Sequence, residues 1–139
     1  MRNKIQETRH KVQNLNHQNI FSINPMSQEL EDRFFKFAEN VRDFCLKLKW
    51  DIINREYISQ LIRSSASVGA NYIEASDSLG IADQKMKIKI SRREAKESIH
   101  WIKLILTYND SLLETERLKL IEEATQIKKI LSAILNKLD

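Results

Sequence analysis

Turn-forming and cross-linking residues are scarce in this chain. It has two glycines, one proline and one cysteine in 139 residues. A β-sandwich or barrel needs a turn signal every ~8–12 residues, and the glycine and proline needed for that are missing. One cysteine excludes an intramolecular disulfide framework and a cysteine-based zinc site within one subunit. Apolar runs are short as well. None approaches the ~20 residues of a membrane span, and no signal-peptide pattern opens the chain. What is present is 42% apolar and 30% charged residues, enough for the single core of one domain. These features predict a soluble, cytoplasmic, all-α domain with no membrane association and no cofactor.

The net charge of +4 is unevenly placed. Residues 1–24 carry Arg2, Lys4, Arg9 and Lys11 against Glu7, a surplus of +3, whereas the remainder is close to balanced at +1. A basic pI is therefore a property of this segment more than of the whole chain, and on its own it does not indicate nucleic-acid binding. The segment is rich in Asn and Gln and has no sustained apolar period. Residues 1–26 are expected to form a mobile or weakly helical basic arm ahead of the domain, which spans 27–139. The arm is either an incidental extension, with Met26 as an alternative start, or an aid to nucleic-acid binding.

From Ser27 the apolar residues recur at helical spacing. Ser27 suits an N-cap, with Glu29 and Glu31 in the first turn. The first seam runs Leu30, Phe34, Phe37, Val41, Phe44, Leu48, alternating steps of four and three. After a break at 49–54, where Asp51 and Asn54 both suit caps, a second helix should start near Arg55. Its inner face is Ile58, Leu61, Ser65, Val68 and Tyr72, with Ile62 and Gly69 alongside and Gly80 as its stop. Gly69 disfavours a helix, so another backbone is expected to pass close to it. A third helix spans about Asp83 to Tyr108, with a stripe of Ile88, Ser91, Ala95, Ser98 or Ile99, Ile102 and Leu106. The fourth runs from about Thr115 to Leu138 on Leu120, Ala124, Ile127, Leu131, Ile134 and Leu138, behind a Ser111–Glu114 capping box. Four such helices with short loops predict an antiparallel up-down-up-down bundle. Apolar residues left over on Phe35, Trp101, Ile121, Ile130 and Leu135 point to a homo-oligomer.

Two stretches are more specific. Residues 60–75 read QLIRSSASVGANYIEA and residues 92–104 read RREAKESIHWIKL. Together they resemble the four-helix bundle family named for open reading frames in the intervening sequences of bacterial 23S rRNA genes. Gln60, Leu61, Arg63, Ser65, Ser67, Gly69, Ala70, Asn71, Glu74 and Ala75 match its first block, and Glu94, Ala95, Glu97, Trp101 and Leu104 its second. His100 stands where the family often has tyrosine or an apolar residue. The resemblance covers about Asp43 to Leu138 and implies an antiparallel four-helix subunit in a ring-like homopentamer. It assigns no activity. More distantly, the chain is similar in shape to accessory proteins of diversity-generating retroelements, which bind a reverse transcriptase and nucleic acid.

Candidate sites are few. Lys85, Lys87, Lys89, Arg92, Arg93 and Lys96 set six cations against Glu94 in twelve residues, and Lys85, Lys89, Arg92 and Lys96 share a helix face. The stripe is either a phosphate-contacting surface or a solvated face balanced by acids on neighbouring helices. Arg63, Asn71, Glu74, Glu94 and Glu97 are candidates for polar contacts that fix helix register, with ligand binding as the other reading. Glu97 and His100 have E-x-x-H spacing, but His10 and His17 lie in the arm, so one subunit lacks the second motif of a di-iron site. No nucleophile–base pair and no phosphate-cradling glycine loop is present. The expectation is a non-catalytic module without metal that binds RNA or DNA through Lys85, Lys89, Arg92, Arg93 and Lys96. Its alternative is a structural or protein-interaction scaffold for an unidentified protein partner.

Overall fold

The computed structural model describes residues 27–139, which form four α-helices and, among the described residues, no strand. These are α1 (Gln28–Leu46), α2 (Ile52–Ser76), α3 (Ile81–Leu104) and α4 (Ser111–Leu138). The arm assigned to residues 1–26 lies outside the described residues. No described helix is long and apolar enough to cross a membrane.

Each helix packs on its chain neighbours, and α1 also packs on α4, which closes the bundle. Contacts between helix ends show that adjacent helices run in opposite directions. The Ser27 N–H ahead of α1 donates to the Tyr72 hydroxyl late in α2, at 2.7 Å. Asn54 at the start of α2 bonds Leu106 just beyond α3. Lys47 after α1 pairs with Glu116 early in α4, at 3.0 Å.

The first seam packs as the spacing requires. Phe34, Phe37, Val41, Phe44 and Leu48 are buried against Leu61, Val68, Tyr72, Ile88, Ile102, Ile127 and Leu131. Phe34 meets Tyr72 edge to face at 4.9 Å, an arrangement that adds ~0.5–1.5 kcal/mol beyond area burial. Where α2 crosses α3 the residues are small, and hydroxyls join the two helices. Ser91 donates to the Val68 carbonyl at 2.7 Å, and the Ser64 and Ser98 hydroxyls meet at 2.9 Å. Gly69 lies over α1. A Cβ placed there would meet the Phe34 Cβ at 3.5 Å and the Phe34 backbone at 3.8 Å, so the expected close approach is present and leaves room for a methyl group.

The starts of α2 and α4 differ from the expectations because an aspartate side chain accepts from the first backbone amides of each helix. Asp51 caps α2 by accepting from Ile53 and Asn54, so that helix starts at Ile52, and Asn54 is a buried interior residue. Asp110 caps α4 from Leu112 and Leu113, both at 3.0 Å, displacing the Ser111–Glu114 box. Gly80 does not end α2, which stops at Ser76; it precedes α3 with an extended backbone. α3 stops at Leu104, where Ile105 turns to an extended backbone (φ −59°, ψ 137°), ahead of a turn in which Tyr108 and Asn109 adopt positive φ (54° and 63°). Leu106, expected on the inner stripe of the third helix, and Ile62, expected alongside the inner face of the second, are exposed. Of the expected surplus residues, Leu135 is buried, while Trp101, Ile121 and Ile130 are half-buried against the core. Phe35 alone of that set is largely exposed, at 66%.

Candidate nucleic-acid interface

α3 carries the cationic stripe, and its fate changes along the helix. Near the N-terminus, carboxylates from neighbouring helices neutralise it. Lys85 pairs with the C-terminal Asp139 at 2.7 Å, and Lys87 with Glu74 of α2 at 2.8 Å. Each pair shifts one partner. The Lys85 ammonium holds Asp139 below the usual carboxylate range, and the bond to Glu74 pushes Lys87 up. One turn on, direct ion pairing ends, although the Lys89 charge still acts on Asp139 and that of Arg93 on Glu94. Lys89, Arg93 and Lys96 form no ion pair among the described residues, and Arg92 donates only to the Ser132 hydroxyl, at 3.2 Å.

The α3–α4 register brings a further cation to this surface. The contacts Lys85–Asp139 and Arg92–Ser132 lie seven residues apart along each of the two antiparallel segments. Four more residues along each helix set Lys96 level with Lys128. The result is a groove of about 430 Å³ lined by Lys89, Arg92, Arg93, Lys96, Lys128 and Ser132. Five cations and a hydroxyl line it, with no carboxylate. Glu94, the acid within the stripe, does not line it; burial, then the adjacent Glu97, push its carboxyl up, against the pull of Arg93. Lys128 and Ser132 do not stand out in the sequence, where the fourth seam is defined by its apolar residues. Their signal is the pairing register, which needs the helices in space.

The polar candidates on α2 and α3 lie elsewhere. Arg63 reaches Ser59 and Asn71 donates to the Ser67 carbonyl, both within α2. Glu74 reaches across to Lys87. Glu94 is partly buried and Glu97 exposed, and neither side chain has a hydrogen bond among the described residues. The buried polar contacts between elements come instead from Ser64, Ser91, Ser98 and Asn54. Asn54 is fully buried and donates to the Lys49 and Leu106 carbonyls while accepting from the Leu106 N–H. His100 is exposed and packs edge-on against Trp101 at 4.9 Å; no cluster of three or more His, Cys, Asp or Glu that could hold a metal occurs among the described residues. Burial pushes the Cys45 thiol up to about 12, which leaves it protonated and unreactive at neutral pH.

A second concavity, between α1 and α2, has the opposite character. Phe34, Phe35, Ala38, Ala66, Gly69, Ala70 and Ile73 line about 360 Å³ of apolar groove, rimmed by Glu31 and Asp32. The small residues of the first family-like block therefore open a surface against α1 as well as packing the core.

A family model described as "23S rRNA-intervening sequence protein" matches residues 26–133. Among solved structures, the chain is similar to a protein of unknown function from the S23 ribosomal protein family of Bacteroides thetaiotaomicron. The two are 25% identical with a TM-score of 0.64, over 76% of this chain and 94% of that one. No curated protein matches.

Proposed function

This chain belongs to the 23S rRNA-intervening sequence protein family, and from that premise we propose that it is a non-catalytic cytoplasmic module that binds RNA or DNA through the α3–α4 groove. The observation that carries the reading is a lining of cations that form no ion pair among the described residues. Lys89, Arg92, Arg93, Lys96 and Lys128 converge without a carboxylate, while Lys85 and Lys87 on the same helix have one each. Like charges held together on rigid helices repel, and a polyanion relieves that repulsion as it releases its own counterions.

Fluorescence anisotropy with labelled RNA and DNA tests the reading. Replacing Lys89, Arg92, Arg93 and Lys96 together by Gln is expected to weaken binding at low salt at least tenfold. Replacing Arg2, Lys4, Arg9 and Lys11 by Gln should have a smaller effect. The opposite ranking would make the N-terminal segment the reader. Absence of binding by the unaltered chain would leave the protein-interaction scaffold as the function.

That second reading has its own support in the apolar α1–α2 groove with exposed Phe35 and Ile73, a surface suited to protein contact. Such contact also fits the homo-oligomer, a ring of five chains, that the family resemblance implies. Sedimentation equilibrium would return about five times the 16.4 kDa chain mass for that ring and a single chain mass against it.

A further inference from the structure

We infer that the α3–α4 groove takes the sugar–phosphate backbone of a nucleic acid strand and leaves its bases unread. The inference rests on the nucleic-acid reading above and concerns which part of the ligand the groove contacts.

Four observations point this way. The lining is five cations and a hydroxyl, with no ring and no side-chain amide, carboxylate or apolar group for a base edge or face. Base readout uses amide or guanidinium forks presented edge-on to a base, and sequence-tolerant single-strand binding uses aromatic platforms; the groove has no amide and no ring, and of its two guanidiniums Arg92 is already engaged by Ser132. Here the rings are placed elsewhere. Phe35 lies on the α1–α2 groove. Trp50 and Tyr108 are exposed at the end of the bundle, where the Tyr108 hydroxyl contacts Asp51 and Lys49 sits over the Tyr108 ring. Trp101 is half-buried, and its tilted neighbour Tyr57 lies 6.2 Å away, ring to ring.

The second observation is geometric. Cations stand on both walls, with Lys96 of α3 level with Lys128 of α4, so a strand lying along the groove meets positive charge on two sides. From Lys89 to Lys96 the helix rises about 10 Å, roughly three nucleotide steps of one strand in a duplex. Third, these residues lie in helix interiors, and Arg92 is held by its bond to Ser132, so part of the array is organised before a ligand arrives. Fourth, Ser132 places a hydroxyl beside the guanidinium, a pairing suited to a phosphate oxygen.

The test measures binding of the full-length protein to three labelled oligonucleotides of equal length: one purine-rich, one pyrimidine-rich, and one abasic with the backbone intact. Affinities within about threefold of one another are expected. One stacked base alone contributes roughly 5- to 150-fold, so a greater loss on the abasic strand would overturn the inference while leaving nucleic-acid binding intact. No binding of any strand would remove the nucleic-acid reading itself. Inorganic polyphosphate of matched charge is the control for phosphate without sugar. Its binding more tightly than every oligonucleotide would also overturn the assignment. A Lys128→Glu variant separates site from scaffold: affinity for the abasic strand should fall at least tenfold while the urea midpoint stays level or rises. Unchanged affinity would remove the α4 wall from the site.

Discussion

Asn54 shows how much a single buried polar side chain can do in this fold. It spends its amide on three backbone groups, two on Leu106 and one on Lys49, and so ties the α1–α2 connection to the end of α3. Asn54→Ala should leave these groups unpaired in a buried site and lower stability by about 2–3 kcal/mol, read from urea unfolding. Acid should act at the same end of the bundle. The Tyr108 hydroxyl and the α2 amides of Asn54 and Ile53 hold Asp51 below its usual value, and the Thr107 hydroxyl, then Arg117, do the same for Glu114. A carboxylate depressed on folding stabilises above its unfolded pKa, and that contribution is lost as pH falls through the folded value. The melting temperature is therefore expected to hold through the neutral range and fall below about pH 4, less steeply in Asp51→Asn. An equal slope in that variant would remove Asp51 as a source. Asn54 and Asp51 are both legible in the sequence as capping types. That Asn54 is a buried interior residue is not, since its partner Leu106 lies 52 residues away.

At the scale of elements, periodicity locates all four helices because their seams alternate in steps of four and three. It places ends less well, because Asp51, Asp110 and the two positive-φ residues act through local hydrogen bonds and backbone conformation. The family-like block on α2 stands out in the sequence for its small residues, and the structure gives them two uses, the hydroxyl-joined crossing with α3 and the apolar groove against α1. Gly69 tests that division. The added Cβ of Gly69→Ala would make an ordinary contact with Phe34, so the variant should gain ~0.5–1 kcal/mol in urea unfolding from helix propensity. Gly69→Ile should lose stability, because its branches would have to displace Phe34. A destabilised alanine variant would mean that the α1–α2 packing is tighter than a 3.5 Å approach allows. The α3–α4 pairing is where reading by element falls short: the cations of α3 stand out in the sequence, but Lys128 becomes part of their surface only once the antiparallel register is known.

For the whole molecule, net charge is a poor guide. The described domain is close to neutral in sum, yet its positive charges are sorted, with ion-paired lysines at the start of α3 and cations without an ion pair among the described residues further along. The salt dependence of binding reads that sorting out. Association of the full-length protein with duplex DNA should weaken as a straight line in log affinity against log salt. Each phosphate interaction removed by replacing Lys89, Arg92, Arg93, Lys96 or Lys128 with Gln should make that line shallower by about 0.9. Replacing the exposed Lys36, Lys103 and Lys119, none of which lines the groove, should leave the slope as it is. A slope unmoved by the groove substitutions, or moved equally by the other three, would contradict the account.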